Sequence, residues 1–185
     1  MKTTTPREPS VLRGLRELDA EAARRFPDQD WFEKGLQSVA LILLKKLVRG
    51  YYDWCTPKNC WTFATTGGDG VHFSLLERDG AIADDSPVVV TQPAEMGQSW
   101  IVGDKLHDFL CFGASWGFGP FETIGPHWRP TRSWRKSWTP QEEQQRVLDL
   151  LIQRFRLKPW GDAKRFRALQ ETYLKELALP PKLAQ

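Results

Sequence analysis

Apolar residues recur with a helical period at both ends of the chain. At about residues 9–25 they return every three or four positions, which predicts an amphipathic helix with one apolar stripe. The same spacing predicts helices at about residues 140–156 and 162–178. At about residues 30–49 the run VALILL is apolar on nearly every side of a helix. This segment is therefore predicted to be the most buried helix, with Asp30 as its N-cap.

Towards the middle of the chain the apolar period changes from that of a helix to that of a strand. Residues 61–63 and 71–75 alternate apolar with polar side chains on either side of a GGDG turn, which predicts two adjacent antiparallel strands. The β-branched run at residues 87–91 predicts a strand covered on both faces, and residues 100–102 predict a short fourth strand.

The strand-rich region is predicted to span about residues 60–125. It includes a short helix at about residues 104–112, and it ends in a segment, residues 115–138, that is rich in Gly, Pro, Trp and Arg and has no clear period. A loop, or an edge strand around residues 121–124, is expected there. The pattern predicts a single α+β domain over residues 1–185, with a mainly antiparallel twisted sheet packed by N- and C-terminal helices.

The composition is that of an ordinary globular protein, with 41% hydrophobic and 26% charged residues. The longest apolar run is far shorter than the roughly 20 residues that a membrane-spanning helix needs. The polar N-terminus lacks the apolar core of a secretory signal, and three cysteines without a framework spacing indicate reduced thiols. We therefore expect a cytoplasmic protein that does not bind membranes.

Charge is distributed unevenly along the chain. Residues 53–125 hold three basic and ten acidic side chains (net −7), and residues 126–185 hold thirteen basic and six acidic ones (net +7). Acidic residues near the strand ends are expected to form a rim that meets a basic partner. The members of this predicted acidic rim are Glu77, Asp79, Asp84 and Asp85.

Nine tryptophans are present, and rings that do not fit inside a domain tend to populate binding surfaces. Residues 127–138 interleave three Trp with Arg and Lys, so the cations could neutralise phosphates while the rings stack on bases. The same segment could instead pack its rings on the domain and leave the cations in water. The candidate contact residues are Trp116, Trp128, Arg129, Arg132, Trp134 and Arg135, with Lys136 and Trp138 added for nucleic acid.

Candidate catalytic residues are few. His107 and Cys111 lie four positions apart and share one face of a predicted helix, with Asp108 beside them. The three residues could serve a hydrolase, but a zinc site needs three or four ligands and no second pair has suitable spacing. The glycines of residues 65–70 precede a strand and no Lys-Ser/Thr follows them, so they indicate a tight turn and not a phosphate loop. No cofactor, metal or enzymatic activity is expected.

Four segments resemble bacterial proteins related to the SUKH superfamily: FATTGGDGVHFS at residues 63–74, PVVVTQP at 87–93, IVGDKLHDFLCFG at 101–113 and LKPW at 157–160. That superfamily includes immunity proteins of polymorphic toxin systems and fungal regulators of cell-wall synthesis. The resemblance implies a twisted antiparallel sheet with helices packed on it. It also implies a non-enzymatic role in which another protein, such as a cognate toxin, is bound.

The first hypothesis is therefore a protein-binding module, with toxin neutralisation as its specific form. The second is a nucleic-acid-binding protein that uses the segment 127–138. The third is a hydrolase.

Overall fold

Five antiparallel strands form the sheet of this α+β protein, and each pairs with its neighbours in sequence. The computed structural model describes residues 6–26, 34–95 and 97–181, apart from the side chains of residues 95, 133 and 134. The strands are β1 (Ile42–Arg49), β2 (Cys60–Thr65), β3 (His72–Leu76), β4 (Val88–Gln92) and β5 (Gln98–Gly103). Four of them lie within the predicted strand-rich region, and β1 precedes it.

The helices lie before and after this sheet. They are α1 (Ser10–Arg25), α2 (Leu106–Gly113), α3 (Arg132–Ser137), α4 (Glu142–Phe155) and α5 (Ala163–Tyr173), with 3₁₀ helices at Gly35–Val39, Pro93–Glu95, Gly119–Thr123 and Leu174–Glu176. The helices α1, α2, α4 and α5 agree with the sequence prediction, and the α+β fold class is confirmed. Among the described segments, every helix is too short or too polar to span a lipid bilayer.

The predicted helix at about residues 30–49 is wrong where the structure describes it. Its first residues, with the expected N-cap Asp30, lie outside the described residues. Gly35–Val39 form a 3₁₀ helix, Ala40 takes a left-handed conformation (φ 59°), and the rest of the run becomes β1. An apolar run without a clear period fits a buried helix or a strand equally well, and pairing with β2 decides the outcome.

Of the two alternatives for residues 121–124, the edge strand is wrong. Gly119–Thr123 form a 3₁₀ helix that has a proline in its first turn, and proline cannot donate a hydrogen bond to a sheet. The carbonyl groups of Phe121 and Ile124 instead accept hydrogen bonds from the side chain of Gln92, both at 2.8 Å. This segment is therefore tied to the end of β4 without joining the sheet.

One face of the sheet carries the larger core. Phe63 of β2 and Phe73 of β3 contact Phe109 of α2, with ring centroids 5.9 and 4.9 Å from it. The apolar stripe of α1 packs into the same core. The side chains that the alternating pattern predicted to face inward are all buried: Trp61, Phe63, Val71, Phe73 and Leu75. Burial of this apolar surface is the main source of stability for the sheet.

The opposite face is divided into an apolar half and a half that carries hydroxyl groups. The helix α5 and the segment after it cover the apolar half, which consists of Cys60, Leu76, Val89 and Ile101. In the other half, Thr62 and Ser74 are hydrogen-bonded at 2.8 Å, and Thr91 and Ser99 at 3.0 Å. Each of these four hydroxyls thus has a partner, which removes the free-energy cost of burying it alone.

Each outer strand of the sheet is met by a side chain at one point. At β5, the side-chain oxygen of Gln170 accepts a hydrogen bond from Ile101 N–H (2.9 Å), and its amide group donates to Ile101 O (2.7 Å). At β1, Arg16 donates to Leu44 O at 2.6 Å. Outer strands otherwise offer unpaired backbone groups to other chains.

Candidate binding cleft

A surface cleft of about 270 Å³ lies where the ends of several elements meet. Residues 38–40 form one side, the turn after α2 and the following 3₁₀ helix form another, and residues 137–148 complete it. Its apolar walls are Val39, Trp116, Pro120, Trp138, Pro140 and Leu148. Every lining residue that the structure describes is uncharged. We call this site the Trp116–Trp138 cleft.

The position of Trp116 follows from two glycines. Gly117 has a φ of +81°, which an L side chain rarely adopts, and its N–H bonds to Gly113 O at 2.7 Å. Gly161 lies directly against the Trp116 ring, where even a single Cβ would clash with the ring carbons. Trp116 also contacts the Phe112 ring at a centroid distance of 6.4 Å. The ring is therefore held in place by the fold.

The polar side chains of the cleft are engaged in holding the start of α4. The Gln144 side chain accepts a hydrogen bond from Gln141 N–H (3.0 Å) and donates to Ser38 O (3.0 Å). In return, the Gln141 side chain accepts a hydrogen bond from Gln144 N–H, which completes a reciprocal cap. These amide groups bond within the fold, and the surface left to an occupant exposes apolar and polar atoms in similar amounts.

Cationic side chains lie next to the Trp116–Trp138 cleft. We call Arg129, Arg132, Arg135 and Lys136 the basic segment, and all four are exposed. The last three of them lie on α3. This helix ends at Ser137, and Ser137 and Trp138 both line the cleft. The guanidinium of Arg135 lies 5.7 Å from the centre of the Trp116 ring, and its Nε donates to Pro130 O at 3.1 Å.

The basic segment differs from other cationic residues in its pairing. Over the ranges that the structure describes, none of its four members lies within ion-pair distance of a carboxylate, whereas seven arginines elsewhere do. The side chain of Trp134, which was predicted to act with these cations, lies outside the described residues. The structure therefore brings together Trp116, Trp138 and the basic segment.

Trp128 does not belong to this surface. It is only 7% exposed, and its ring packs between Phe112 and Phe166 at centroid distances of 5.0 and 5.4 Å. Its prediction as a partner-binding residue is corrected to a core position. Neighbouring Trp residues have the same local composition, so no local pattern separates the buried ring from the ring at the cleft.

Two members of the predicted acidic rim are bonded within the fold. Glu77 accepts a hydrogen bond from Trp61 Nε1 (2.6 Å) and pairs with Arg49 (3.2 Å). Asp84 accepts hydrogen bonds from Val11 N–H (2.8 Å) and from the Ser10 hydroxyl (2.5 Å), and so caps the start of α1.

The other two members of the acidic rim, Asp79 and Asp85, are exposed. Asp79 takes a left-handed conformation (φ 53°) in the turn between Arg78 and Ala81. The charge that the predicted rim presents to a partner therefore comes mainly from these two residues.

His107, Asp108 and Cys111 lie together on α2 but do not converge on one point. His107 Nε2 lies 3.1 Å from Phe155 O, and a carbonyl only accepts, so Nε2 carries the proton and donates it. His107 Nδ1 then accepts from the Cys111 thiol at 3.7 Å.

Burial raises the pKa of the Cys111 thiol, so the thiol stays protonated. Asp108 points to other partners, since it pairs with Arg165 and accepts from Asp104 N–H at 3.2 Å. The arrangement does not supply a thiolate with a histidine base. Across the described residues, no group of three or more His, Cys, Asp and Glu side chains could hold a metal ion.

His72 is a buried residue whose role the sequence did not indicate. Its Nδ1 donates to Gly70 O (2.9 Å), and its Nε2 accepts from the Thr56 hydroxyl (2.9 Å). The Tyr51 and Tyr52 rings lie 5.1 and 5.6 Å from the imidazole. Burial lowers the pKa of His72, which keeps the ring neutral and suits its role as an acceptor. We interpret His72 as a structural link between β3 and the segment before β2.

The Trp116–Trp138 cleft, with the basic segment beside it, is the candidate functional site of this protein. The SUKH resemblance of residues 63–74, 87–93, 101–113 and 157–160 stays a prediction. Comparison with protein-family models, with curated proteins and with solved structures finds no match to this chain.

Proposed function

We propose that this protein is a non-enzymatic binding protein that holds an apolar side chain of a partner protein in the Trp116–Trp138 cleft. The observation that carries this proposal is the lining of the cleft, in which aromatic and proline rings are uncharged and polar amides are already hydrogen-bonded. Such a surface gains free energy by burying apolar atoms. Among its described lining residues, no titratable side chain could transfer a proton to a substrate.

The size of the cleft favours a side chain over a free small molecule. Its volume of about 270 Å³ is below the roughly 300–1,000 Å³ of pockets that enclose drug-sized ligands. One or two side chains of a partner fill such a space. Tryptophan is also enriched among the few residues that carry most of the energy at protein interfaces.

Toxin neutralisation is the specific form of this function that the SUKH resemblance implies. It belongs to the same class, because an immunity protein acts by binding and not by catalysis. Co-expression of the chain with the product of the neighbouring gene tests this form. We expect the two proteins to co-purify, and a neighbouring gene that encodes no toxin-like protein argues against it.

A peptide selection tests the binding function itself. Random 12-residue peptides displayed on phage are selected on the wild-type protein and then on Trp138→Ala. We expect peptides that share a bulky apolar residue or proline and lose about tenfold or more in affinity on Trp138→Ala, since a central Trp contact contributes at least about 1.4 kcal/mol. Trp54→Ala is the control, because Trp54 is half exposed and lies outside the cleft lining. If no selected peptide distinguishes Trp138→Ala from wild type, the proposal is wrong.

A further inference from the structure

We propose that the segment held in the Trp116–Trp138 cleft is acidic on one side of its apolar anchor, and that its carboxylates pair with the basic segment. This inference rests on the proposed function, because it names the chemistry of the partner at the same site. The observations that support it are the charges around the cleft, which belong to residues outside the cleft lining.

The first argument is the absence of carboxylates from this part of the chain. Residues 126–141 contain no Asp or Glu, and within the described residues the basic segment forms no ion pair with a carboxylate. The positive charge beside the cleft is therefore not compensated there. An acidic partner supplies the missing charge and is also attracted during encounter.

The second argument is the distance between the cleft and the cations. Trp138 lies six positions after Arg132 in the chain, which corresponds to about 9 Å along a helix. An extended peptide covers this distance in about three residues. An apolar anchor in the cleft thus places acids up to about three positions away within reach of the basic segment.

The third argument concerns the side of the apolar anchor on which the partner carries its acids. After Trp138 in the chain, the first turn of α4 carries two exposed acids, Glu142 and Glu143. Glu142 already pairs with Arg146 at 2.5 Å. Carboxylates of the partner beside this turn would meet like charge, so we expect its acids only on the side that faces α3.

The geometry favours an acidic peptide over single-stranded nucleic acid. Trp128 is buried, and the guanidinium of Arg135 lies over the Trp116 ring, so few ring faces remain for stacking successive bases. Nucleic acid is kept as an outcome of the test.

The test starts from the strongest peptide that depends on Trp138 in the selection. It is synthesised with four glutamates before the anchor, with four after it, and with glutamines in both positions, and each is titrated by fluorescence anisotropy. Exposed ion pairs are weak singly, so several together predict about a tenfold tighter binding for one glutamate peptide over the glutamine peptide. We expect this advantage to shrink at high salt.

Variants of the protein locate the effect. The triple substitution Arg129→Ala, Arg132→Ala and Lys136→Ala, which spares Arg135 beside the Trp116 ring, will remove the advantage of the glutamate peptide and leave binding of the glutamine peptide in place. The double substitution Lys45→Ala and Lys46→Ala is the matched control, because these exposed lysines lie on β1 outside the cleft. It will leave both peptides unchanged.

Three results overturn the inference in distinguishable ways. Glutamate and glutamine peptides that bind equally, and still depend on Trp138, refute the acidic partner and leave the proposed function standing. A twelve-residue thymidine oligonucleotide that binds more tightly than the peptides, and is lost in the triple variant, replaces the peptide with nucleic acid. Failure of every peptide to depend on Trp138 removes the proposed function and this inference with it.

Discussion

Replacing Gly161 with alanine will displace the Trp116 ring from the wall of the cleft. A Cβ at this position would lie 1.9 Å from Cη2 of Trp116 and 2.6 Å from Cζ3, whereas ordinary contact begins at 3.4 Å. The ring must therefore move by about 1.5 Å, the difference between 3.4 and 1.9 Å. The ring also contacts Phe112, and the Arg135 guanidinium lies 5.7 Å from its centre.

The cost of this movement follows from overpacking. Forcing one extra methyl group into a packed site costs about 1–3 kcal/mol in the free energy of unfolding. The backbone adds no strain, because the φ of Gly161 is not positive. Gly125→Ala is the matched control, since Gly125 also lacks a positive φ and its Cβ would meet nothing within 4 Å. Both variants gain the same small benefit from a less flexible unfolded chain, so their difference isolates the ring contact.

Urea denaturation followed by tryptophan fluorescence measures this difference. We expect Gly161→Ala to be about 1–3 kcal/mol less stable than Gly125→Ala, with a Tm lower by about 2–4 °C for each kcal/mol. A peptide that depends on Trp138 will also bind Gly161→Ala more weakly. Equal stability and equal affinity in the two variants would refute the conclusion that Trp116 is a fixed wall of the cleft.

Three further substitutions test other parts of the fold, each by urea denaturation. Burial lowers the pKa of His72, so the stability that depends on neutral His72 is complete above the unfolded-state pKa of about 6.5 and decreases as the pH falls below it. His72→Gln will therefore lose less stability than wild type between about pH 7.5 and 5.5, and equal losses contradict this reasoning. Asp84→Ala will cost about 0.5–2 kcal/mol by removing the cap of α1, whereas Asp85→Ala at an exposed position will cost less than about 0.5 kcal/mol. Asp108→Ala will lower the free energy of unfolding by about 1–3 kcal/mol, because its carboxylate is buried. Arg154→Ala will lower it less, because the ion pair of Arg154 is exposed. A larger loss of stability in Arg154→Ala would contradict this ranking.

Periodic segments allowed the sequence to predict most of the elements. The helices α1, α4 and α5 each bury one stripe of apolar side chains, and that stripe is visible as a spacing of three and four residues. The strands β2 and β3 were predicted from their alternation and from the glycine-rich turn between them. In both cases local chemistry and the final packing agree.

The first strand could not be predicted, because its own residues do not decide its structure. The run VALILL has no period, and its alanine and leucines are good helix formers. Its pairing with β2, for example between Leu43 and Ala64, involves residues about 20 positions away. That long-range contact outweighs the local preference.

The cleft escaped prediction for a similar reason. It is assembled from residues 38–40, 116–120 and 137–148, which no local pattern connects. The sequence did indicate Trp116 and Arg135 as contact residues, because aromatic and arginine side chains are common at interfaces. It could not separate them from Trp128, whose burial depends on Phe166 in a helix more than 30 residues later.

The two hydrogen bonds between the Gln170 side chain and the backbone of Ile101 protect the edge of the sheet at β5. A side-chain amide has the same donor and acceptor as a peptide group, so at this point the helix α5 substitutes for the sixth strand that the sheet lacks. A foreign strand that approached from this margin would have to displace the amide before it could pair with Ile101. One glutamine thereby limits the growth of the sheet into a larger aggregate at its otherwise open border.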